Sequence, residues 1–314
     1  MAFNPRRKNE LWATNYGDNS VCIVMDATAA TLKSERRQEA SHNHYMPRPM
    51  GLAFGGDVTT FGIPGTFASA NDSAGDGHPD DGKMWNGITL WSSDLTIFGK
   101  FIGPNGNSHL DMLHDSPLAR GIAWEKDNIY WVFGAMLKDI TRYDFAKDHN
   151  RGNADHSDGS QWHYAADMVE GVTGVPSHMF YDASTKMLYF ADTGNKRVAR
   201  LDTTVGTLNP KRHTRMGDNP ETKIDAVMDG AKVTDVVNAS AGLSQPAGLD
   251  LFDKVLYVSD FATGFIYAFD LEGRKIASLD TKLGAGKVAG LAVGPDGKLY
   301  FASMGSNTIY VIAP

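Results

Sequence analysis

The 314-residue sequence predicts an all-β fold, a six-bladed β-propeller, from three observations. A two-strand hairpin pattern recurs along the chain, and a short glycine-containing phrase precedes most of its copies. The composition, with 33 glycines, 11 tyrosines and 6 tryptophans, suits many short strands joined by tight turns. Closed all-β architectures of this length often form one unit, so we expect residues 1–314 to fold as a single domain.

The hairpin pattern is an apolar strand, a polar turn and a second strand that usually ends in Asp. Its clearest copy is MLYFADTGNKRVARLD at residues 187–202. Related copies lie at 11–26, 129–144, 255–270 and 299–312, and a looser pair of strands lies at 66–70 and 87–91. Six hairpins predict six blades, in which they supply the second and third strands, B and C.

The second recurrent phrase contains Gly-Leu or Gly-Ile followed by Ala or Asp, about ten residues before a hairpin. It occurs, with one variant, at 49–53, 119–123, 176–179, 246–250 and 289–292. Small residues suit the innermost strand A, where the blades converge on a central axis. Thr96–Ile102 and Lys275–Leu279 are predicted to supply outermost strands D. The first blade shows no inner phrase, so either the C-terminal end completes it or it is irregular.

The stretch LYFADTGNKRVARLD resembles the NHL repeat, and the resemblance extends over most of the chain apart from insertions near 72–86, 145–165 and 205–240. It implies a six-bladed propeller of the NHL type. The chain is also distantly similar to the amidating lyase that cleaves peptidyl α-hydroxyglycine, a propeller whose channel metal is held by histidines just before the A strands. The equivalent positions here are Met50, Arg120, Ser177, Ala247 and Ala289, so the similarity is one of placement and does not transfer the ligands.

Charge and composition restrict the classes of partner. The net charge of −7 and the pI near 5.8 argue against nucleic acid, because binding to phosphate backbones depends on clustered Lys and Arg. No segment approaches the roughly 20 apolar residues of a membrane-spanning helix. We therefore expect a small-molecule or peptide-like substrate, no nucleic-acid or membrane partner, and a monomer.

The cysteine count and the absent motifs exclude further classes. Cys22 is the only cysteine, which excludes an intrachain disulfide and a multi-cysteine metal site. The sequence has no Gly-x-Ser-x-Gly elbow, P-loop or dinucleotide-binding glycine motif, so serine hydrolases, NTPases and dinucleotide-dependent enzymes have no support. The start Met1–Pro5 lacks the apolar region of a signal peptide, and a secreted or periplasmic location is favoured if such a peptide was removed.

Histidines in three successive connections predict a metal site at one mouth of the central channel. We place these connections between strand D of one blade and strand A of the next, on one face of the ring. Imidazoles from separate rigid elements can hold an ion and leave one position open for water or substrate. The preferred ligands are His44, His114 and His178, and the further candidates, as ligands or supporting partners, are His42, His109 and Asp111.

The identity of the metal stays open between zinc and copper, because imidazole suits both. Met46, Met50 and Met112 lie near these histidines, and a thioether ligand would favour copper. Methionine next to a strand more often packs in a core.

Two side chains are candidates for catalytic chemistry. Arg120 interrupts a phrase of small residues and could orient a carboxylate or stabilise an oxyanion, the alternative being an ion pair with Asp111 or Asp115. Tyr45, beside His44, is a weaker candidate for a general acid or base.

The loop DHNRGNADHSDG at 148–159 follows strand C of the third blade, so we assign it to the opposite face. Its oxygen-rich spacing could hold Ca²⁺ or an auxiliary transition metal, although it lacks the order of an EF-hand loop. A solvated loop with Asx turns is the alternative.

Two functions remain open. The first is a metal-dependent enzyme, a lyase or hydrolase if the ion is zinc and an oxidoreductase if it is copper. The second is a non-catalytic propeller that binds a protein, peptide or glycan. Propellers serve both purposes, so the fold class does not decide between them.

Overall fold

The computed structural model describes residues 1–75, 86–100, 105–214 and 221–312. Their strands form six small sheets in a ring, which confirms the predicted six-bladed β-propeller. Each innermost strand packs against the innermost strands of the two neighbouring blades, around a central channel.

The first blade comprises β1 (Ala2–Phe3), β2 (Leu11–Asn15), β3 (Ser20–Met25) and β4 (Lys33–Arg37). A one-turn helix, α1 (His42–Tyr45), leads to the second blade, which comprises β5 (Pro49–Phe54), β6 (Thr66–Asn71), β7 (Ile88–Ser92) and β8 (Asp111–Leu113). The third blade begins with β9 (Ala119–Lys126), β10 (Ile129–Gly134), β11 (Asp139–Asp144) and β12 (Ser160–Tyr164).

The fourth blade begins with β13 (Met179–Asp182), β14 (Met187–Asp192) and β15 (Arg197–Asp202). The chain then forms β16 (Thr207–Asn209) and β17 (Ile224–Asp229), which join the third blade, before β18 (Lys232–Val237) completes the fourth. After a 3-10 turn at Ala239–Ala241, the fifth blade comprises β19 (Pro246–Phe252), β20 (Val255–Asp260), β21 (Phe265–Phe269) and β22 (Lys275–Asp280). The sixth comprises β23 (Val288–Val293), β24 (Leu299–Ser303) and β25 (Thr308–Ile312).

The first blade has its own inner strand. β1 pairs antiparallel with β2, with Ala2 opposite Trp12, and it packs between β23 and β5. The C-terminal end therefore does not complete the first blade, because β24 and β25 pair with β23 in the sixth. A strand of two residues is too short to show the period-two alternation by which strands are recognised in a sequence.

One predicted outer strand is confirmed and one is wrong. Lys275–Asp280 is the outer strand β22 of the fifth blade. The described part of Thr96–Ile102 instead makes turns, with the backbone N–H groups of Ile97 and Phe98 donating to the carbonyl oxygen of Asp94. Residues 101 and 102 lie outside the described ranges. The outer strand of the second blade is β8, in the stretch that was expected to be a connection.

The core is divided between the blades. In the described residues, buried apolar side chains form six clusters, each between two adjacent sheets. The cluster that closes the ring packs Leu11 and Ala13 of the first blade against Ala292 and Tyr300 of the sixth. Apolar packing between neighbouring sheets thus holds the ring together, including the junction of the two chain ends.

The first part of the predicted insertion at 205–240 extends the third blade, whereas β18 belongs to the fourth. β17 pairs parallel with β12, with Gln161 opposite Asp225, and β16 adds to the outer side of β17. A segment that leaves the fourth blade therefore brings its side chains against the third blade.

The central channel opens into a cavity of 510 Å³ lined by the inner strands of all six blades. Across the described ranges, helix is confined to single turns, and none has the length or the apolar character needed to cross a bilayer.

Candidate metal centre

A group of histidines lies between the second and third blades, around the short strand β8. His109 lies two residues before β8, and His149 and His156 lie in the loop between β11 and β12. Two backbone hydrogen bonds tie that loop to the chain before β8, one from His149 N–H to the Leu110 carbonyl at 3.0 Å and one from Gly152 N–H to the His109 carbonyl at 2.8 Å. The loop is thereby held as an extension of the sheet edge.

Two of the imidazoles face each other through the same ring atom. The Nε2 atoms of His109 and His149 lie 3.1 Å apart. His156 adds the third imidazole, and one ligand atom from each of the three lies within 4.8 Å of the other two. Two nitrogens bound to one tetrahedral zinc at about 2.0–2.1 Å would lie about 3.3–3.4 Å apart, so the spacing of the first pair is close to that of two ligands of one ion.

Hydrogen bonds at the other ring nitrogens fix how these imidazoles are protonated. Nδ1 of His109 donates to Oδ1 of Asn107, and Nδ1 of His149 donates to the carbonyl oxygen of Asn150 at 2.6 Å. Asn107 uses its amide nitrogen to donate elsewhere, to the Asn105 carbonyl, which leaves its oxygen as the acceptor. In each neutral ring the proton is therefore on Nδ1, and Nε2 carries a lone pair.

Burial keeps the three rings neutral. Burial and the neighbouring histidines lower the pKa of His109 well below its ordinary value, and burial lowers the pKa of His149. Burial and His149 lower the pKa of His156 to about 4. Near neutral pH two lone pairs thus face each other at 3.1 Å, an arrangement that is repulsive by itself and that a shared cation stabilises.

A second group shares His156 with the first. His114, which directly follows β8, donates from Nδ1 to Oε2 of Glu221 at 2.6 Å. One ligand atom each of His114, His156 and Glu221 lies within 4.8 Å of the others. Glu221 lies three residues before β17, in the segment that extends the third blade. Among the described residues, it is the only carboxylate in either group.

Additional carboxylates surround the two groups. Asp111 is 1 % exposed, and its Oδ1 accepts the backbone N–H of Met112. Burial raises the pKa of Asp111 well above its ordinary value, and the nearby Asp148, Asp155 and Asp158 add to the effect. Asp148 and Asp155 also act on His149, and Asp155 and Glu221 act on His156, so the charge around the imidazoles favours a bound cation over an anion.

The residues preferred from the sequence do not form one group. His178 lies in the channel, where Nε2 contacts the Met50 carbonyl oxygen at 3.2 Å and burial lowers its pKa to about 3. His114 lies near the outer edge of the second blade. His44 packs edge-on against Tyr45, whose ring separates it from His109.

The reason for this difference is the assignment of strand D. We expected the segment from His109 to His114 to be a connection on one face, but it contains β8, with His109 near its start and His114 at its end. The loop at 148–159, which we assigned to the opposite face, lies against the start of β8 and carries two of the three clustered imidazoles.

Tyr45 and His42 lie beside the cluster and have structural partners. The Tyr45 ring stacks on His109 with a centroid distance of 4.0 Å. Burial raises the pKa of its hydroxyl, which makes it a poorer base near neutral pH. His42 contacts the Glu39 carbonyl oxygen through Nδ1 at 2.8 Å, at the start of α1.

Arg120 forms a buried ion pair with a partner that the sequence did not indicate. Its Nε donates to Oδ1 of Asp72 at 2.8 Å, and both side chains are 4 % exposed. Tyr16 contacts the second carboxylate oxygen of Asp72 at 3.2 Å. Asp72, which directly follows β6, thus takes the place of Asp111 and Asp115, the partners expected from the sequence.

The methionines close to these histidines belong to the core. Met46 and Met112 are 0 % exposed, and Met50 is 6 % exposed at the start of an inner strand. Met46 packs with Trp12, Leu52 and other apolar side chains between the first two blades.

Comparison with known proteins shows the fold alone. No protein-family model and no curated protein matches the sequence. The chain is similar to a chain of the nidogen/laminin complex, with 15% identity, a TM-score of 0.55 and coverage of 92% of this chain and 81% of that one. It is also similar to a streptogramin B lyase, with 13% identity, a TM-score of 0.54 and coverage of 100% of this chain and 81% of that one. A third similar structure is regucalcin, a calcium-binding protein from Agrobacterium tumefaciens, with 14% identity, a TM-score of 0.53 and coverage of 96% of this chain and 79% of that one.

Proposed function

We propose that this propeller is a zinc-dependent enzyme of the lyase or hydrolase type, whose ion is held by His109, His149 and His156. The observation that carries the proposal is the pair of unprotonated Nε2 atoms of His109 and His149, 3.1 Å apart and fixed by hydrogen bonds at Nδ1. A partner that fixes the second ring nitrogen is the usual support of a metal-binding histidine.

The ligand count supports a catalytic rather than a structural ion. Structural zinc sites usually have four protein ligands, whereas catalytic ones have three and keep one position for water or substrate. A zinc ion in such a site polarises a substrate oxygen or lowers the pKa of its bound water. Three imidazoles suit zinc, and Met46, Met50 and Met112, whose thioethers would favour copper, are buried. No carboxylate belongs to this group of described residues, which argues against calcium.

Access to solvent supports a reaction on a small or peptide-like substrate. His156 is partly exposed, and the loop residues next to it, 153–155, are exposed. We therefore propose that the reaction takes place at the outer edge of two blades and not in the channel. An arrangement like that of the amidating lyase, with histidines before the inner strands, has no support from the contacts of His178. NHL-type blades remain part of the proposal on the strength of the hairpin sequences.

Elemental analysis of protein purified without an affinity tag tests the proposal. We expect zinc in the wild type and its loss in His149→Ala/His156→Ala. The control His44→Ala/His178→Ala also removes two histidines, both from the set preferred from the sequence, and should retain zinc. Copper in place of zinc would change the proposed chemistry to redox. Absence of any transition metal, even after zinc is supplied, would overturn the proposal and favour a non-catalytic binding propeller.

If zinc is found, hydrolysis and elimination are assayed on small esters, amides and peptide-like substrates. Turnover that is lost in the double variant at His149 and His156 supports an enzyme. Added zinc should then restore turnover to metal-free wild type but not to this variant. A zinc-loaded protein without turnover on any of these substrates would argue for a structural ion.

A further inference from the structure

The two ligand groups are joined through one ring. His156 belongs to the group with His109 and His149 and also to the group with His114 and Glu221. Its Nε2 atom is buried and has no hydrogen-bond partner among the described residues. An imidazole has a second nitrogen, Nδ1, on the other edge of the ring, so one histidine can contact ions on two sides.

The five side chains are too far apart for one ion. Within each group the ligand atoms lie within 4.8 Å of one another, but the five together do not satisfy that limit. A single coordination sphere would have to bring all of its donors within such a distance. The arrangement therefore describes two neighbouring positions.

The second position has the donors of a complete site of its own. His114, His156 and Glu221 supply two imidazoles and one carboxylate, a set that binds zinc in proteins and leaves a position open. The 2.6 Å contact between His114 and Glu221 holds two of these ligands in fixed relation before any ion binds.

The surrounding charge is suited to more than one dication. Asp148 and Asp155 lie near His149, and Asp155 also lies near His156, in addition to Glu221. Two divalent cations close together repel each other, and nearby carboxylates offset that repulsion.

We propose that the protein binds two divalent metal ions, one at His109 and His149 and the other at His114 and Glu221, with the imidazole of His156 bridging them. The inference rests on the proposed function, since the first ion is the zinc described there. When the second ion binds, His156 releases its remaining N–H proton to solvent, and each ring nitrogen then donates a lone pair to one ion.

The first test is the stoichiometry of zinc binding, by equilibrium dialysis and elemental analysis at saturating zinc. We expect two equivalents in the wild type, one in Glu221→Gln, one in His149→Ala, and two in the control Glu272→Gln, which removes an exposed carboxylate remote from both groups. Circular dichroism checks that each variant is folded.

Copper(II) loading provides a readout of the bridge. Two copper ions that share His156 should couple magnetically, which weakens the electron paramagnetic resonance signal relative to the copper content. Glu221→Gln should show one uncoupled copper with its full signal.

The outcomes separate the two proposals. One equivalent of zinc in the wild type, unchanged by Glu221→Gln but lost in His149→Ala, would overturn the second position and leave the first intact. Two equivalents with uncoupled copper signals would overturn the bridge by His156. No bound zinc would overturn the proposed function and this inference with it.

Discussion

His163 Nε2 lies 2.9 Å from Oδ1 of Asp225, a residue 62 positions further along the chain. His163 is on β12, and Asp225 is on β17, the strand that the fourth blade contributes to the third. On its other side, Nδ1 of His163 lies 2.6 Å from Oδ2 of Asp139. A buried imidazole between two carboxylates therefore fastens the added strands to the third blade.

This contact predicts a pH-dependent stability. Burial by itself lowers the pKa of His163, but hydrogen bonds and charges from Asp139 and Asp225 outweigh it and raise the pKa to about 9. Because the folded pKa lies above the unfolded value near 6.5, the stabilisation is fully present below pH 6.5 and is lost as the pH rises through about 9. Asp115, whose pKa burial raises to about 6, titrates below this window.

Urea unfolding at pH 6.5, 8 and 9.5 tests this prediction. The wild type should lose more stability across the series than His163→Gln, which should be the less stable of the two at pH 6.5. The α-amino group of Met1, whose pKa burial lowers to about 6, adds the same gain in stability between about pH 6 and 8 to both proteins. Asp225→Asn should lower the free energy of unfolding by about 3–5 kcal/mol at pH 6.5, since it removes one partner of a buried charge pair. Equal pH dependence in the wild type and in His163→Gln would contradict the assignment.

The pair Arg120 and Asp72 predicts a structural role for the arginine. Both side chains are 4 % exposed, so Arg120→Met leaves a buried carboxylate without its cation and should cost about 3–5 kcal/mol of stability. The double variant Arg120→Met/Asp72→Leu should recover a large part of the loss, because no unpaired charge remains. Chemical denaturation of Arg120→Met, Asp72→Leu and the double variant measures the coupling. A double variant that is no more stable than Arg120→Met would argue against the ion pair.

Two glycines of the inner strands, Gly121 and Gly51, should differ in how well they tolerate substitution by alanine. A Cβ atom at Gly121 would lie 1.8 Å from the carbonyl oxygen of Ser177 in the next blade, whereas at Gly51 the nearest atom would be a side-chain carbon of Ile122 at 3.5 Å. Gly121→Ala should therefore lower the free energy of unfolding by about 3 kcal/mol or more. Gly51→Ala, the matched control, should change it by roughly 1 kcal/mol or less. Similar losses in both would refute close inter-blade packing at Gly121.

The hydrogen bond between His109 and Asn107 should strengthen zinc binding by orienting the imidazole of His109. Oδ1 of Asn107 accepts the Nδ1 proton of His109, so Asn107→Ala frees the ring to turn and to change its tautomer. The affinity for zinc should fall about 10- to 100-fold, the usual effect of losing a partner of this kind. Competition with a chelator measures it, and Asn105→Ala, an exposed neighbour that contributes only its backbone carbonyl, should leave the affinity unchanged. An unchanged affinity in Asn107→Ala would remove His109 from the ligand set.

The sequence by itself determined the number of blades and their hairpins. Alternation of apolar and polar residues is local, and it is repeated in every blade, so the strands from Leu11–Asn15 to Thr308–Ile312 could be recognised without knowing their neighbours. The inner phrases were recognisable for the same reason, because crowding at the axis demands small residues such as Gly121 and Gly248 in each copy.

Only the tertiary structure decided which histidines meet. β8 has three residues and β1 has two, too few for periodicity to distinguish a strand from a connection, and the placement of His109 and His114 depended on that distinction. Glu221 reaches the site because β17 joins a blade to which it is not adjacent in sequence. Strand pairing across blades depends on backbone hydrogen bonds and packing between distant segments, and residue spacing carries no signal of it.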